Sequence, residues 1–478
     1  MESESDVIKE HVPLSQKLAY SFASLGSGIL SSLFSSSMVF FYNTKLLLDE
    51  TLIGYAYLIF AIWNAVNDPI FGFLSDKTKN KKLGRRIPYL RYGAPLYGLA
   101  FIFIWFPFAR DQLGLFVNLI ISLFLFDTLF TMIGLVLYAF LPEMAFTQAE
   151  RAKTSMMSNV IGFLGIIISF LLPSFFLTES TTDIWPFQLA MIIVAIASAV
   201  IMYLSSLVLK ENPNLPKENP MGIFAGLKYC LKNPVFINFE FFNFLLQIVW
   251  AILIGGIFYY VKFVLYLTGI AAFVPILFLL LAVVAGMAFF SARVDKIGVK
   301  KGSMISLATV STGFIVLFVI GRTVATAFPV LIFMGFGLSG GLLYASNMYG
   351  DMCDYDEIRT GQRREGTYAG INALITKPAI SIGTWVLTIV LDVYGFVKEA
   401  NVQTPMAIEG IMVALTAIPA FLGFLTVLVI SFYPVGGKAW IQEKQQLQAK
   451  HAELERKRMR ELGNAKEKSL DVPSPGKA

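Results

Sequence analysis

The sequence predicts an all-α membrane protein with twelve transmembrane helices in two six-helix halves. Three observations predict it. The 478 residues are 56% hydrophobic and only 15% charged, with mean hydropathy +0.67, whereas a soluble chain carries roughly a quarter charged residues. Apolar runs of about 20 residues, each able to cross the hydrocarbon as a helix, recur along the whole chain. They are too long and unbroken for barrel strands, so the helix is the form that satisfies their backbone in lipid. Finally, one polar segment containing "KENPNLPKENP" divides the runs six and six, and its prolines mark a linker.

The elements follow in order. Residues 1–17 form a polar, acidic tail (Glu2, Glu4, Asp6, Glu10) without the basic start and cleavage site of a signal peptide, so the first span is expected to stay. The predicted spans are 18–42, 52–74, 89–108, 113–141, 156–178 and 185–209 in the first half (18–209). A linker over 210–234 follows. The second half (235–433) holds spans 235–261, 268–292, 302–321, 324–349, 366–397 and 405–433. Loops after the even-numbered spans carry 20 Lys and Arg, with Arg91 at the edge of span three, and those on the other face carry 5. This bias predicts both termini in the cytoplasm, in a plasma-membrane protein. The basic cluster Lys77–Arg86 is first of all a topology anchor. "GFLSDKTKNKKLGRR" after span two and "ARVDKIGVKKGS" after span eight occupy the same place in each half, and parallel repeats of this kind are a transporter signature with the solute site between the halves. Residues 434–478 are a helical and then disordered tail. Its Trp440, Leu447 and Leu454 repeat every seven residues, which fits a solvated or membrane-surface helix or a partner site.

Ionisable groups inside the membrane are expensive, so each is a functional candidate. Asp68 precedes Asp76 by about 12 Å of helix. Asn64 lies one turn before it, Asn67 is adjacent, and Pro69 frees a backbone carbonyl. Asp68 reads as a cation or proton site, or else as a structural cap. Lys377 stands about 18 Å beyond Glu365, near the midplane, where a lysine must be paired, neutral or wet. Asp68 is its expected partner. In span four, Asp127 and Thr131 share a face with Gly134 and Tyr138. Asp127 suits the solute cavity or a structural hydrogen bond. Glu240, Asn243 and Gln247 make one polar face on span seven, either cavity lining or helix–helix hydrogen bonding. The glycines of "GFGLSGG" (335–341) read as close-packing residues.

Several functions are excluded. There is no phosphate-binding G-x-x-x-x-G-K-[ST] loop and no Cys/His cluster with metal-ligand spacing; Cys230 and Cys353 show no disulfide framework. Both histidines lie in the tails, so no transmembrane histidine relay exists. The chain reads as no enzyme, with no cofactor and no metal beyond a coupling Na⁺. The basic tail needs only membrane lipids, not nucleic acid.

These stretches resemble the glycoside–pentoside–hexuronide:cation symporter family of the major facilitator superfamily. "IWNAVNDPIFGFLSDKTKNKKLGRRIPYLRYG" resembles its helix-two segment, "YAFLPEMAFTQAER" its helix-four end, and "DMCDYDEIRTGQRREGTYAGINALITKP" its helix ten–eleven region. The resemblance implies the major facilitator fold, a cation-site aspartate at Asp68, a sodium-binding threonine at Thr131, a counter-charge at Lys377 and a sugar-site aromatic position at Tyr138. The departures are Asn64 in place of a second aspartate, Gly28 and Gly134 in place of sugar-holding aspartates, and Asn159 in place of an arginine. A galactoside-type site is therefore not preserved. Sodium-coupled lysolipid transporters share this architecture.

The expectation is a secondary active transporter that moves a small solute, a sugar or glycoside, with Na⁺ or H⁺ by alternating access. The cation site would comprise Asp68, Asn64 and Thr131, with Lys377 as counter-charge. Tyr138, Asp127, Asn159, Asn243 and Gln247 would line the solute cavity. Asp76, Arg85, Arg86, Asp295, Asp351, Asp354 and Glu365 would gate the cytoplasmic side. The alternatives are lysolipid transport on the same scaffold and a non-transporting membrane sensor or scaffold.

Overall fold

The computed structural model describes residues 12–77, 86–144, 148–178, 183–210, 223–362, 364–437, 439–447, 449–450 and 453. The side chains of Asp68, Asp76, Asp295 and Glu365, and all of Arg85, lie outside the described set. Among the described residues twelve long helices build the bundle: α1 Leu14–Lys45, α2 Glu50–Lys77, α3 Ile87–Trp105, α4 Gln112–Met144, α5 Gln148–Phe176, α6 Trp185–Val208, α7 Pro234–Val264, α8 Gly269–Ser291, α9 Val299–Ile320, α10 Val324–Thr360, α11 Glu365–Val393 and α12 Pro405–Ser431. Each expected span falls on one of them. The largest difference is α10, which runs to Thr360 rather than 349. Hydropathy marks only its apolar part, while its polar end continues as helix until Gly361 takes the left-handed conformation (φ 69°) that ends it. Starts are set by local chemistry. Asn233 accepts from the Val235 and Phe236 amides ahead of Pro234, and the Thr404 hydroxyl accepts from the Ala407 amide ahead of α12.

Small residues bring the helices together within each half. Gly26 of α1 lies against Ser198 of α6, and Gly286 of α8 against Ser339 of α10. The 335–341 glycines do what their pattern suggested: Gly335 meets Leu279 of α8, and Gly337 and Gly340 meet Val310 and Ser306 of α9. Between the halves α2 packs along α11, α5 along α8 and α1 along α7.

The repeat is visible in backbone detail. α1 and α7 both end in a π-helical turn, Phe41–Lys45 and Tyr260–Val264. Each turn is followed by a non-glycine residue with positive φ, Leu47 (60°) and Tyr266 (55°). Matching amide bonds follow, Leu48 N–H to Tyr42 O and Leu267 N–H to Val261 O. The offset is 219 residues (266 − 47), the same that separates Asp76 from Asp295.

The C-terminal segment is not a solvated helix. Residues 439–447 continue helically beside the end of α10. Trp440 and Leu447 are buried, and Trp440 packs on Tyr355 with ring centroids 6.3 Å apart. The heptad stripe is thus a docking face; Leu454 lies outside the described residues.

Candidate functional site

The polar side chains that the sequence places at mid-membrane converge between α2, α4 and α11. Asn67 is fully buried, with Thr131 and Asp127 almost so. The Asn67 amide donates to the Asp127 carboxylate and to Thr131 Oγ1 (3.0 Å). Lys377 reaches across from the second half and donates to Asn67 Oδ1 (3.3 Å) and Thr131 Oγ1 (3.1 Å). Asn64 Nδ2 donates to the Lys377 carbonyl (3.3 Å). The local sequence explains the assembly. Asn64 and Asn67 are three apart on α2, and Asp127 and Thr131 four apart on α4, so each pair shares a face. Trp63 fixes α2 on α4 by stacking on Phe124 (5.4 Å) and donating to Thr128 Oγ1 (3.2 Å).

A monovalent cation needs oxygen ligands. The cluster supplies Asn67 Oδ1, Thr131 Oγ1 and the Asp127 carboxylate. Asn64 adds a further buried oxygen, Oδ1, that has no hydrogen-bond partner among the described residues. These residues fit a cation, and the Lys377 ammonium already occupies part of that role.

The sequence-expected residues divide as follows. Asn64, Thr131, Lys377 and Asp127 come together, and Asp127 accepts from the Asn67 amide. Asp68 lies in α2 next to Asn67, its side chain outside the described set. Tyr138 and Asn159 are exposed, and a Cβ on Gly28 or Gly134 would meet open space. Asn243 is buried and donates to Asn372 Oδ1 of α11 (2.9 Å), a helix–helix bond of the kind its face allowed. Gln247 is half-buried one turn further on. Asn67, the centre of the cluster, is the residue that sequence reasoning passed over. Its spacing from Asn64 is the signal that could have found it.

The face opposite the termini is sealed by contacts between the halves. Tyr259 OH donates to Asn43 Oδ1 (2.9 Å), Thr51 Oγ1 to Asp392 Oδ2 (2.9 Å) and the Gly269 amide to Thr178 Oγ1 (2.9 Å), while Lys398 pairs with Asp49 (3.7 Å). On the termini face, Asp351 and Asp354 are engaged by the tail: Lys444 Nζ lies 2.7 Å from Asp351 and 3.6 Å from Asp354. Burial lowers the Lys444 pKa, but the two carboxylates outweigh it and raise it. Arg86 is partly exposed; Arg85 and the side chains of Asp76, Asp295 and Glu365 lie outside the described residues. Also on this face, Glu150 of α5 binds Lys17 (2.6 Å), Lys153 (3.0 Å) and the Val12 amide (3.2 Å). The two ammonium groups hold its carboxyl down at about 2.

A family model described as MFS/sugar transport protein matches residues 19–437. The chain belongs to this major facilitator family. Its members are membrane transporters, and the chain is one of them rather than an enzyme. Among curated relatives, an isoprimeverose transporter of Lactiplantibacillus pentosus is 24% identical over 94% of both chains. A sodium-dependent lysophosphatidylcholine symporter 1 of Xenopus tropicalis is 19% identical over 81% of both. Among solved structures, a D-xylose-proton symporter aligns over 88% of this chain and 97% of its own, with TM-score 0.62 and 14% identity, which shows the shared fold.

Proposed function

We propose that this transporter is a symporter that couples a small solute of the sugar or glycoside class to Na⁺ or H⁺ by alternating access. The observation that carries it is the Lys377 bridge from α11 to Asn67 and Thr131, beside Asp127, at the contact between the halves. Without a cation, the lysine holds this contact. A cation that takes the Asn64, Asn67, Thr131 and Asp127 oxygens, with Asp68 next along the helix, displaces it and changes the relative stability of the two states. Coupling equals that difference in binding. The sealed face supports reading the present state as closed on one side. The Lys and Arg excess in the termini-face loops supports placing that face in the cytoplasm.

One observation favours a second solute class. Gly28 and Gly134, where the family's sugar-holding aspartates would stand, face open space, and lysophosphatidylcholine symporters are among the relatives. A lysolipid would use such an uncharged surface.

The test is thermal melting of the purified full chain, titrated with Na⁺ at several pH values against choline. A saturable Na⁺-specific rise that disappears in Asp127→Asn and Asp68→Asn is expected for a sodium site. A flat Na⁺ response with a pH shift tied to these carboxylates assigns protons. Neither response, or a rise that survives both substitutions, refutes the site.

A further inference from the structure

One buried acid stands apart from this cluster. Glu240 lies on α7 six residues beyond Pro234 and is 5% exposed. Both of its carboxyl oxygens are buried with no hydrogen-bond partner among the described residues. A carboxylate removed from water without a cation or donor is among the costliest groups a membrane protein can hold, so burial of this kind selects the neutral acid. The surroundings agree. The neighbouring apolar cluster contains Phe236, Phe239, Phe242, Leu246 and Met348.

No described cation hydrogen-bonds to it. The titratable groups on the linker helix (Ile223–Cys230), α11 and α10 include Lys228, Tyr229, Cys230, Tyr368, Lys377, Tyr344, Tyr349, Asp351, Asp354, Tyr355, Asp356, Glu357 and Arg359. Arg364 is engaged by Asp356 at 3.3 Å and by Tyr229. Burial, with Asp356 adding to it, pushes the Cys230 thiol up to about 12. Tyr368 is bonded by Asn233 (3.0 Å).

Asn243 is one turn along the same face and donates to Asn372 of α11 (2.9 Å). Thr376 of α11 donates to the Asn372 carbonyl (2.7 Å), and Lys377 is the next residue.

We infer that Glu240 is a second ligand site of this protein, a buried carboxyl near the termini face that binds and releases a proton. No oxidation or covalent step is involved: the carboxyl gains or loses H⁺. The site does not depend on the symport reading above.

The test is pH-jump infrared difference spectroscopy of the full chain in lipid nanodiscs between about pH 5 and about pH 9, a window that brackets ordinary and buried carboxyl titration. The expected result is a carboxylic-acid carbonyl signal that is lost in Glu240→Gln, retained in Asp68→Asn, and moved in Glu240→Asp. Superimposable wild-type and Glu240→Gln spectra over this range overturn the proposal. If Glu240→Gln does not fold, Glu240→Asp decides: an unmoved band overturns it. The Na⁺ melting titration separates this from the symport reading. A Na⁺ response with superimposable spectra defeats the Glu240 site alone. A Glu240 band with no cation response supports the site and defeats the symport reading.

Discussion

Tyr259→Phe tests whether the sealed face is one state of a moving transporter. The Tyr259 hydroxyl donates to Asn43 Oδ1 at 2.9 Å, and both residues are essentially without solvent exposure (0% and 1%). Asn43 uses its amide protons on Glu50 (2.7 Å) and on the Leu48 carbonyl (3.2 Å), so its oxygen depends on Tyr259. Phenylalanine keeps the ring and its packing on Phe40 (4.9 Å) and Phe396 (5.4 Å). The loss is therefore one hydrogen bond with a buried acceptor left unmet, which costs about 1–3 kcal/mol. When the halves part on this face, water reaches Asn43 and the cost disappears. The equilibrium should then move toward the open form by on the order of 5- to 150-fold. Pulsed dipolar spectroscopy between spin labels at Asp111 and Val402, exposed on this face in opposite halves, reads the shift. A larger long-distance population is expected. An unchanged distribution, or growth of the short distance, refutes the argument that this bond holds the closed state.

Two further outcomes follow from the termini face. Glu150 titrates near 2 when folded, because of Lys17 and Lys153, and near 4.3 when unfolded. Its stabilisation is complete above the unfolded value and is lost as pH falls toward 2. The melting temperature of Glu150→Gln should respond less to acid over that window than wild type, and parallel curves would contradict the pairing. Lys444→Ala leaves the Asp351 carboxylate, among the described residues, with the Tyr433 hydroxyl (3.3 Å), at a cost of about 1–3 kcal/mol to tail docking. Limited proteolysis should cut the variant's tail faster by roughly 5-fold or more; equal rates would refute a docking role for Lys444.

The sequence by itself determined the membrane class, the helix count and the two-half plan, because apolar length and loop charge are one-dimensional properties that lipid reads directly. It also singled out Asn64, Asp68, Asp127, Thr131 and Lys377, because polar groups inside apolar runs stand out locally. What each one touches was decided only by tertiary structure. Asn67 was overlooked because a neutral amide carries little signal until α4 and α11 are brought against it. Asn243 gained its partner only when α11 placed Asn372 opposite. Trp440 and Leu447 read as a weak stripe until α10 supplied the surface they cover. Lys377 is 246 residues from Thr131 in the chain, and no periodicity reports a contact that only the packing of α11 on α2 creates.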